Sequence, residues 1–408
     1  MDRRSGLALA LAATLLVAGC ASQTSAPGGS AAAPASAAPG ESAGGGGTLV
    51  IGYAAGLTGA LAPYDGPASK GIQLAVDKIN AKGGIDGRWK IDLRVQDMRS
   101  DPAQGAVVAQ SLIDGGAQLL ITPCDADPSV AVGQIAQKAK IPAISSCAST
   151  PTLPSAVGDD MFMASMGDNA QATVEADYAI EQGYRTAYLL GSPDAAYTQK
   201  IPEYFKQVFT AKGGSIIGEG TFKLGAQDFS AEVTKIKNLS PQPDVIQTSA
   251  WIPDAPTFIK QLRAAGVQTP VIGADALDSP ELISAGGASV EGVVFSTHGF
   301  PTPGSPLETF YQDYQAKFGQ PADTVFIGVG ADAIAIIEAA VTQAGSIDPA
   351  TVRDAIDNLQ DVRGFTGPIT FKGQSRIPLK QVSLVTVKDG KLALVKQVVP
   401  AATEVPAP

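Results

Sequence analysis

The chain has 408 residues, 45% of them hydrophobic and 17% charged, with 29 basic against 39 acidic side chains, a formal net charge of −10 and a pI near 4.7. An acidic balance excludes a general nucleic-acid binder, and the apolar fraction excludes a wholly disordered chain. A single histidine, His298, rules out multi-histidine metal sites, and three cysteines rule out a four-cysteine zinc site or a disulfide-dense scaffold.

Arg3 and Arg4 precede an apolar run over 6–18. That run is shorter than the roughly 20 residues a membrane span needs and reads as the core of a signal peptide. Leu16-Val17-Ala18-Gly19-Cys20 sets small residues directly before a cysteine and resembles a bacterial lipobox. The resemblance implies that 1–19 is cleaved and that Cys20 is diacylated. The alternative is an ordinary signal peptide with an incidental cysteine. Residues 20–47 are almost entirely Ala, Ser, Gly and Pro. They cannot bury enough apolar surface to order themselves, and they predict a disordered tether spanning roughly 25–30 Å. The charge remaining after cleavage is negative, so acyl chains rather than electrostatics would hold the body at the extracytoplasmic face of the cell membrane. No later stretch has 18 continuous apolar residues.

The body begins with Leu49-Val50-Ile51, a short β run. Ile72, Ala75, Val76 and Ile79 then form one helix face, closed by Gly83-Gly84. Ile91, Leu93 and Val95 alternate as a strand; Val108, Leu112 and Ile113 suit a helix, and 119–122 another strand. Cys124 and Cys147 each follow a short apolar segment, 119–121 and 141–144. If these are neighbouring parallel strands, both cysteines sit at their carboxyl ends and a Cys124–Cys147 disulfide follows; two buried free thiols are the alternative. Later β runs fall at 187–190, 245–248, 271–272 and 293–296, with a helix face on Phe258, Ile259, Leu262 and Ala265. Strand-helix alternation predicts an α/β fold with parallel sheets covered by helices. At the end, Val382, Leu384, Val385 and Val387 lead through Asp389-Gly390 to 392–395, a predicted hairpin, and 400–408 is expected to fray.

Ala81-Lys82-Gly83-Gly84 recurs as Ala211-Lys212-Gly213-Gly214. With the alternation, this modest repeat suggests two similarly built lobes. Open α/β sheets bind ligands beyond the carboxyl ends of their strands, so two facing lobes would enclose a cleft. No dinucleotide fingerprint, Walker A motif or G-x-S-x-G elbow is present. A Ser-His-Asp site would have to use His298, whose neighbours Gly299 and Pro301 suggest a crossover or surface loop. The strand-end loops instead carry hydroxyls, aromatics and carboxylates, a set suited to recognising a small polar molecule. Each taken alone also suits a helix cap or a structural role.

In this order, these loops resemble the Leu/Ile/Val-binding type of periplasmic solute-binding protein of ABC transporters. The resemblance rests on Gly56-Leu57-Thr58-Gly59 through Tyr64 to Ile79-Asn80-Ala81-Lys82-Gly83-Gly84-Ile85-Asp86-Gly87. It rests also on Ile141-Pro142-Ala143-Ile144-Ser145 with Ala148-Ser149-Thr150-Pro151, and on Asp228-Phe229-Ser230. It covers about 48–395. It implies the type I periplasmic-binding fold in lipoprotein form: two Rossmann-like lobes joined by a three-stranded hinge. The corresponding boundaries are lobe 1 over 48–167, lobe 2 over 168–297, a return to lobe 1 over 298–378 and to lobe 2 over 379–399. It further implies closure on a ligand and delivery to an ABC permease.

Carried over residue by residue, the resemblance makes Tyr64 an aromatic beside the ligand, and Ala148 and Ser149 the backbone and hydroxyl groups for a head group. Tyr197 and Trp251 become wall aromatics of the second lobe, and Asp275 the acidic partner of a ligand ammonium. Asp125 departs from the pattern, standing where the family offers a serine to the ligand carboxylate. An ionised Asp at about 4 Å and an effective dielectric near 20 would repel a carboxylate by about 4 kcal/mol, roughly a thousandfold in affinity. Asp125 is therefore expected to accept from an amine, amide, urea or hydroxyl. The competing reading is that it caps the next helix while Ser129 or backbone amides serve the ligand. The expectation is a lipid-anchored, monomeric receptor for ABC import of a small polar organic solute, an amino acid or an amide- or amine-like one. It needs no cofactor, metal or catalytic residue. A ligand sensor of the same fold, an extracytoplasmic hydrolase and a structural envelope lipoprotein are the other readings.

Overall fold

The computed structural model describes residues 46–408. The signal peptide, Cys20 and nearly all of the tether lie outside these residues. The first part of the body runs β1 (Gly47–Ala55), α1 (Ala62–Ala81), β2 (Trp89–Asp97), α2 (Pro102–Asp114), β3 (Leu119–Thr122), α3 (Ala126–Ala139), β4 (Ala143–Ser145), α4 (Leu153–Val157) and β5 (Met161–Met163). A second run follows: α5 (Asp168–Glu181), β6 (Thr186–Gly191), α6 (Ala196–Ala211), β7 (Ser215–Thr221), α7 (Ser230–Lys237), β8 (Val245–Thr248), α8 (Asp254–Ala264), β9 (Val271–Gly273), α9 (Pro280–Gly286) and β10 (Val294–Thr297). The remainder is α10 (Pro306–Phe318), α11 (Phe326–Ala344), α12 (Pro349–Asp357), β11 (Val362–Arg363), β12 (Pro368–Ile369), β13 (Val382–Lys388) and β14 (Lys391–Val398).

The first sheet has the order β2-β1-β3-β4-β5, parallel throughout. The second repeats the pattern as β7-β6-β8-β9-β10 and then adds the antiparallel pair β13-β14 beyond β10. The two lobes thus share one winding, and each sheet reverses direction of growth at its first strand, the place where such sheets bind ligands. Asp389 and Gly390 join β13 to β14 with φ of 52° and 68°, the left-handed pair that a tight hairpin turn requires.

Burial explains the layers. Leu49, Ile51 and Tyr53 of β1 face the core made with α1 and α11, while Ala54 faces the opposite core with Leu112 and Leu120. Helices α10 to α12 pack on the first sheet through Phe310, Ile334, Ile337 and Ile356, so the chain returns to lobe 1 after β10. Among the described residues one helix, α11, is long and apolar enough to cross a membrane; it is a core helix, largely buried inside lobe 1. It crosses α1 at contact distance because Gly71 and Gly330 carry no Cβ: one added at Gly71 would overlap the Ile327 carbonyl, and one at Gly330 would overlap the Ala68 carbonyl. This close approach brings the first turns of both helices together, with the Tyr64 and Phe326 rings edge to face at 5.2 Å.

Three chain segments pass between the lobes: 164–167, 298–305 and 370–381. Lys380, in the third, donates to the Ala164 carbonyl of the first at 3.0 Å and to Asp332 of α11 at 2.6 Å. The tail differs from its expected fraying. Asn169 donates to the Pro406 carbonyl at 2.7 Å, and Glu404 pairs with Lys212 at 3.4 Å, so its backbone and charge are partly satisfied against lobe 2.

Candidate functional site

The cleft lies between the carboxyl ends of the two sheets. Lobe 1 supplies Tyr64 from the first turn of α1, Asp125 from the N-cap of α3 and Ser149 from the loop after β4. Lobe 2 supplies Tyr197 from the first turn of α6, Trp251 from the loop after β8 and Asp275 from the turn after β9. Leu61, Cys124, Ala276 and Phe326 complete the wall. All of these lie at the ends of strands that begin a crossover, or at the start of the next helix, because there the sheet's side-chain layer stops and loops from adjacent strands converge.

Ala148 is not brought to this cleft. Its N–H donates to Ser145 Oγ at 2.8 Å and its carbonyl accepts from Ser165 Oγ at 2.5 Å, so both backbone groups are used inside lobe 1. Ser129 is equally committed: fully buried, it donates to the Pro123 carbonyl and accepts from Thr122 Oγ1, both at 2.9 Å. It therefore offers nothing to a ligand.

The two lobes touch directly. The Tyr64 hydroxyl accepts from the Ile252 N–H at 3.0 Å and donates to the Ala276 carbonyl at 3.3 Å. The cleft is narrow as a result. Its cavity has a volume of about 20 Å³, room for about one water.

Carboxylates dominate the chemistry, and none of the residues lining the cleft is Arg or Lys. Asp125 occupies the N-cap of α3 in extended conformation but makes no capping hydrogen bond. Burial and the nearby Asp127 push its carboxyl up to about 6, against the pull of the Ala126 and Asp127 amides. Asp275 is held from both sides: Tyr197 Oη donates to Oδ1 at 3.0 Å and His298 Nε2 to Oδ2 at 2.9 Å. His298 is in the second crossover, as its neighbours suggested, but it is fully buried rather than on the surface. Behind Ser149, Asp168 accepts from Thr150 Oγ1 at 3.0 Å, and burial together with the charges of Asp275 and Asp125 lifts its carboxyl well above the usual range.

Beneath the cleft floor, Cys124 and Cys147 are disulfide-bonded, with Cα atoms 4.5 Å apart. The Cys124 N–H donates to Asp65 Oδ1 at 3.1 Å, and Asp65 also accepts from Tyr53 Oη and the Gly56 N–H. Burial still lifts the Asp65 carboxyl to about 7. The two sulfurs and Asp65 lie within 4.8 Å of one another, but disulfide sulfurs offer no thiolate to a metal.

Asp65, Asp168 and His298 were not identified as site residues from the sequence. The only signal for Asp65 was its place beside Tyr64. Asp168 had none, and the only signal for His298 was the crossover that its neighbours Gly299 and Pro301 suggest.

A further buried acid sits in α5. Glu175 accepts from Ser296 Oγ at 2.7 Å and Gln247 Nε2 at 3.2 Å, and burial raises it to about 8. The folded chain therefore holds a proton that the unfolded chain releases above about pH 4.5. Stability from this group falls with pH across the window from 4.5 to 8, by up to about 1.4 kcal/mol per pH unit, and levels off above it. Glu175→Gln is expected to be more stable than the parent at pH 8, with the gap closing towards pH 4.5. Urea denaturation at both pH values reads this directly, and an equal gap at both would refute it.

A family model described as periplasmic binding protein matches residues 48–391. The Leu/Ile/Val-binding protein BraC3 of Rhizobium johnstonii is 26% identical over 345 residues, covering 84% of this chain and 93% of the relative. Among solved structures, the leucine binding protein LivK of Thermotoga maritima aligns with a TM-score of 0.80 at 25% identity, over 86% of this chain and 99% of that one. The branched-chain amino acid transporter substrate binding protein LivJ of Streptococcus pneumoniae, in complex with isoleucine, aligns with a TM-score of 0.79 at 26% identity, over 86% of this chain and 100% of that one.

Proposed function

The chain belongs to the periplasmic binding protein family, and from that premise we propose that it is the lipid-anchored solute receptor of an ABC importer. It captures a small polar organic solute, an amino acid or an amide- or amine-like one, between its lobes and presents the closed form to a membrane permease. Its work is binding and not catalysis. The observation that carries this reading is the convergence of Tyr64, Asp125 and Ser149 from one lobe with Tyr197, Trp251 and Asp275 from the other on a single cleft. A cleft this narrow supports a mechanism in which the lobes part to admit the solute and close around it. The lipobox-like Leu16-Val17-Ala18-Gly19-Cys20 and the tether behind it support the anchor.

A ligand at a hundred times its dissociation constant stabilises the folded state by about 2.7 kcal/mol. A thermal-shift screen over amino acids, amides, ureas, amines, polyols and aromatic acids is expected to give at least one shift of several degrees. That solute should also lower the radius of gyration in solution scattering. A stabilising solute that leaves the radius unchanged contradicts the closure mechanism, and a screen with no stabilising solute contradicts the receptor reading.

A further inference from the structure

Resting on the receptor reading, we propose that the cleft selects small organic monocations that carry no carboxylate, held by Asp125 within a wall of Tyr64, Tyr197, Trp251 and Phe326. Two independent features lead to it: which donors and acceptors of the cleft are already spent, and what the aromatic side chains have left to offer.

The tyrosine hydroxyls are spent. The Tyr64 hydroxyl donates to the Ala276 carbonyl, and the Tyr197 hydroxyl donates to Asp275. His298 Nε2 faces Asp275 as well. With no Arg or Lys in the lining, a ligand carboxylate entering the cleft meets no uncommitted cationic partner and lies against Asp125.

The acceptors are unequal. Asp275 already accepts on both oxygens, from Tyr197 and His298. Asp168 accepts from Thr150 behind the wall. Asp125 makes no capping hydrogen bond and lines the cleft, so it is the carboxylate with capacity left. This moves recognition of the ligand's charge from Asp275, where the family resemblance put it, to Asp125 on the opposite lobe. The tyrosines have used their hydroxyls, and what remains is their rings. With Trp251 and Phe326 they make an aromatic surround, which attracts a cation through its quadrupole and packs against an apolar body.

Three probes share one branched apolar body and differ only in charge: isoamylamine, leucine and 4-methylpentanoate. Isothermal titration of the protein at pH 7.5 is expected to rank isoamylamine at least tenfold tighter than leucine, with 4-methylpentanoate not binding. Asp125 makes no capping hydrogen bond, so the near-isosteric Asp125→Asn is expected not to lower the unliganded melting temperature. It should weaken isoamylamine at least tenfold and narrow its lead over leucine. Leucine binding more tightly than isoamylamine overturns the proposal, as does an Asp125→Asn variant with unchanged amine affinity; in either case a bound solute leaves the receptor reading standing. Binding of none of the three also overturns it, and the wider solute screen then decides the receptor reading separately.

Discussion

Lys380→Met is expected to destabilise the protein by about 3–5 kcal/mol, the range found when one partner of a buried ion pair is removed. Lys380 and Asp332 are 1% and 0% exposed, and Nζ lies 2.6 Å from Oδ2. Each charge is satisfied beyond the pair. Lys380 also donates to the Ala164 carbonyl and to Thr366 Oγ1, while Asp332 also accepts from the Phe365 N–H. Removing the ammonium strands a carboxylate with no route to water, so the loss exceeds the net worth of the pair. The comparison that separates the two is the double variant Lys380→Met/Asp332→Leu, in which no charge is left unpaired. It is expected to recover part of the loss but not all, because the Phe365 amide loses its acceptor. Urea denaturation gives both numbers. A single-variant loss below about 1 kcal/mol would show that water reaches the pair. The position matters for function because Lys380 ties the third crossover to the first and both to α11, so the hinge between the lobes is pinned at a charged point rather than by apolar packing alone.

Much of this architecture was readable in advance, and the exceptions have definite causes. Strands such as 119–122 and 245–248 announce themselves as short apolar runs because they are buried on both faces. Helix α8 shows its 3.6-residue period through Phe258, Ile259 and Leu262 because its outer face meets water. Helix α11 shows no clean period because nearly every side is buried. Helix α5 hides for the opposite reason: its inward residues include Asp168, Asn169, Gln171, Thr173 and Glu175, so the buried face reads as polar. That face is polar because it meets Ser296, Gln247 and the Asp275 amide, so buried hydrogen bonds override the apolar pattern there. Strand β5 is three residues long, too short for any period. The strand-end loops that carry the cleft residues were legible because topology puts them there, while the individual residues were named through the family resemblance. Asp168 and His298 were not, since their roles come from contacts across crossovers, and Asp65 was not, since its place is set inside lobe 1 by Tyr53, Gly56 and Cys124.

Removing the disulfide, as Cys124→Ala/Cys147→Ala, is expected to cost about 3 kcal/mol. The cysteines are 23 residues apart in sequence, and closing a loop of that size in the unfolded chain carries about this much entropy in the chain-entropy model. The folded state has little to lose locally. Strands β3 and β4 are already in register through Leu120–Ala143, Ile121–Ile144 and Thr122–Ser145, and Cys147 packs in the core as a small apolar group. The larger consequence is expected at the cleft. Cys124 precedes Asp125 directly and Cys147 lies two residues before Ser149, so the bond fixes the spacing of the two lobe 1 loops that line it. Without the bond, the Cys124 loop is held by its strand and by Asp65, whose carboxylate accepts from the Cys124 amide, and the Ser149 loop by its hydrogen bonds to Ser145, Ser165 and the Asp168 amide. Ligand affinity should therefore fall in the double variant even at temperatures where it remains folded. Urea denaturation separates the two effects from titration of the folded protein with whichever solute the screen identifies. Unchanged affinity together with lost stability would mean that strand register alone positions Asp125 and Ser149, and that the bond acts only on the unfolded chain.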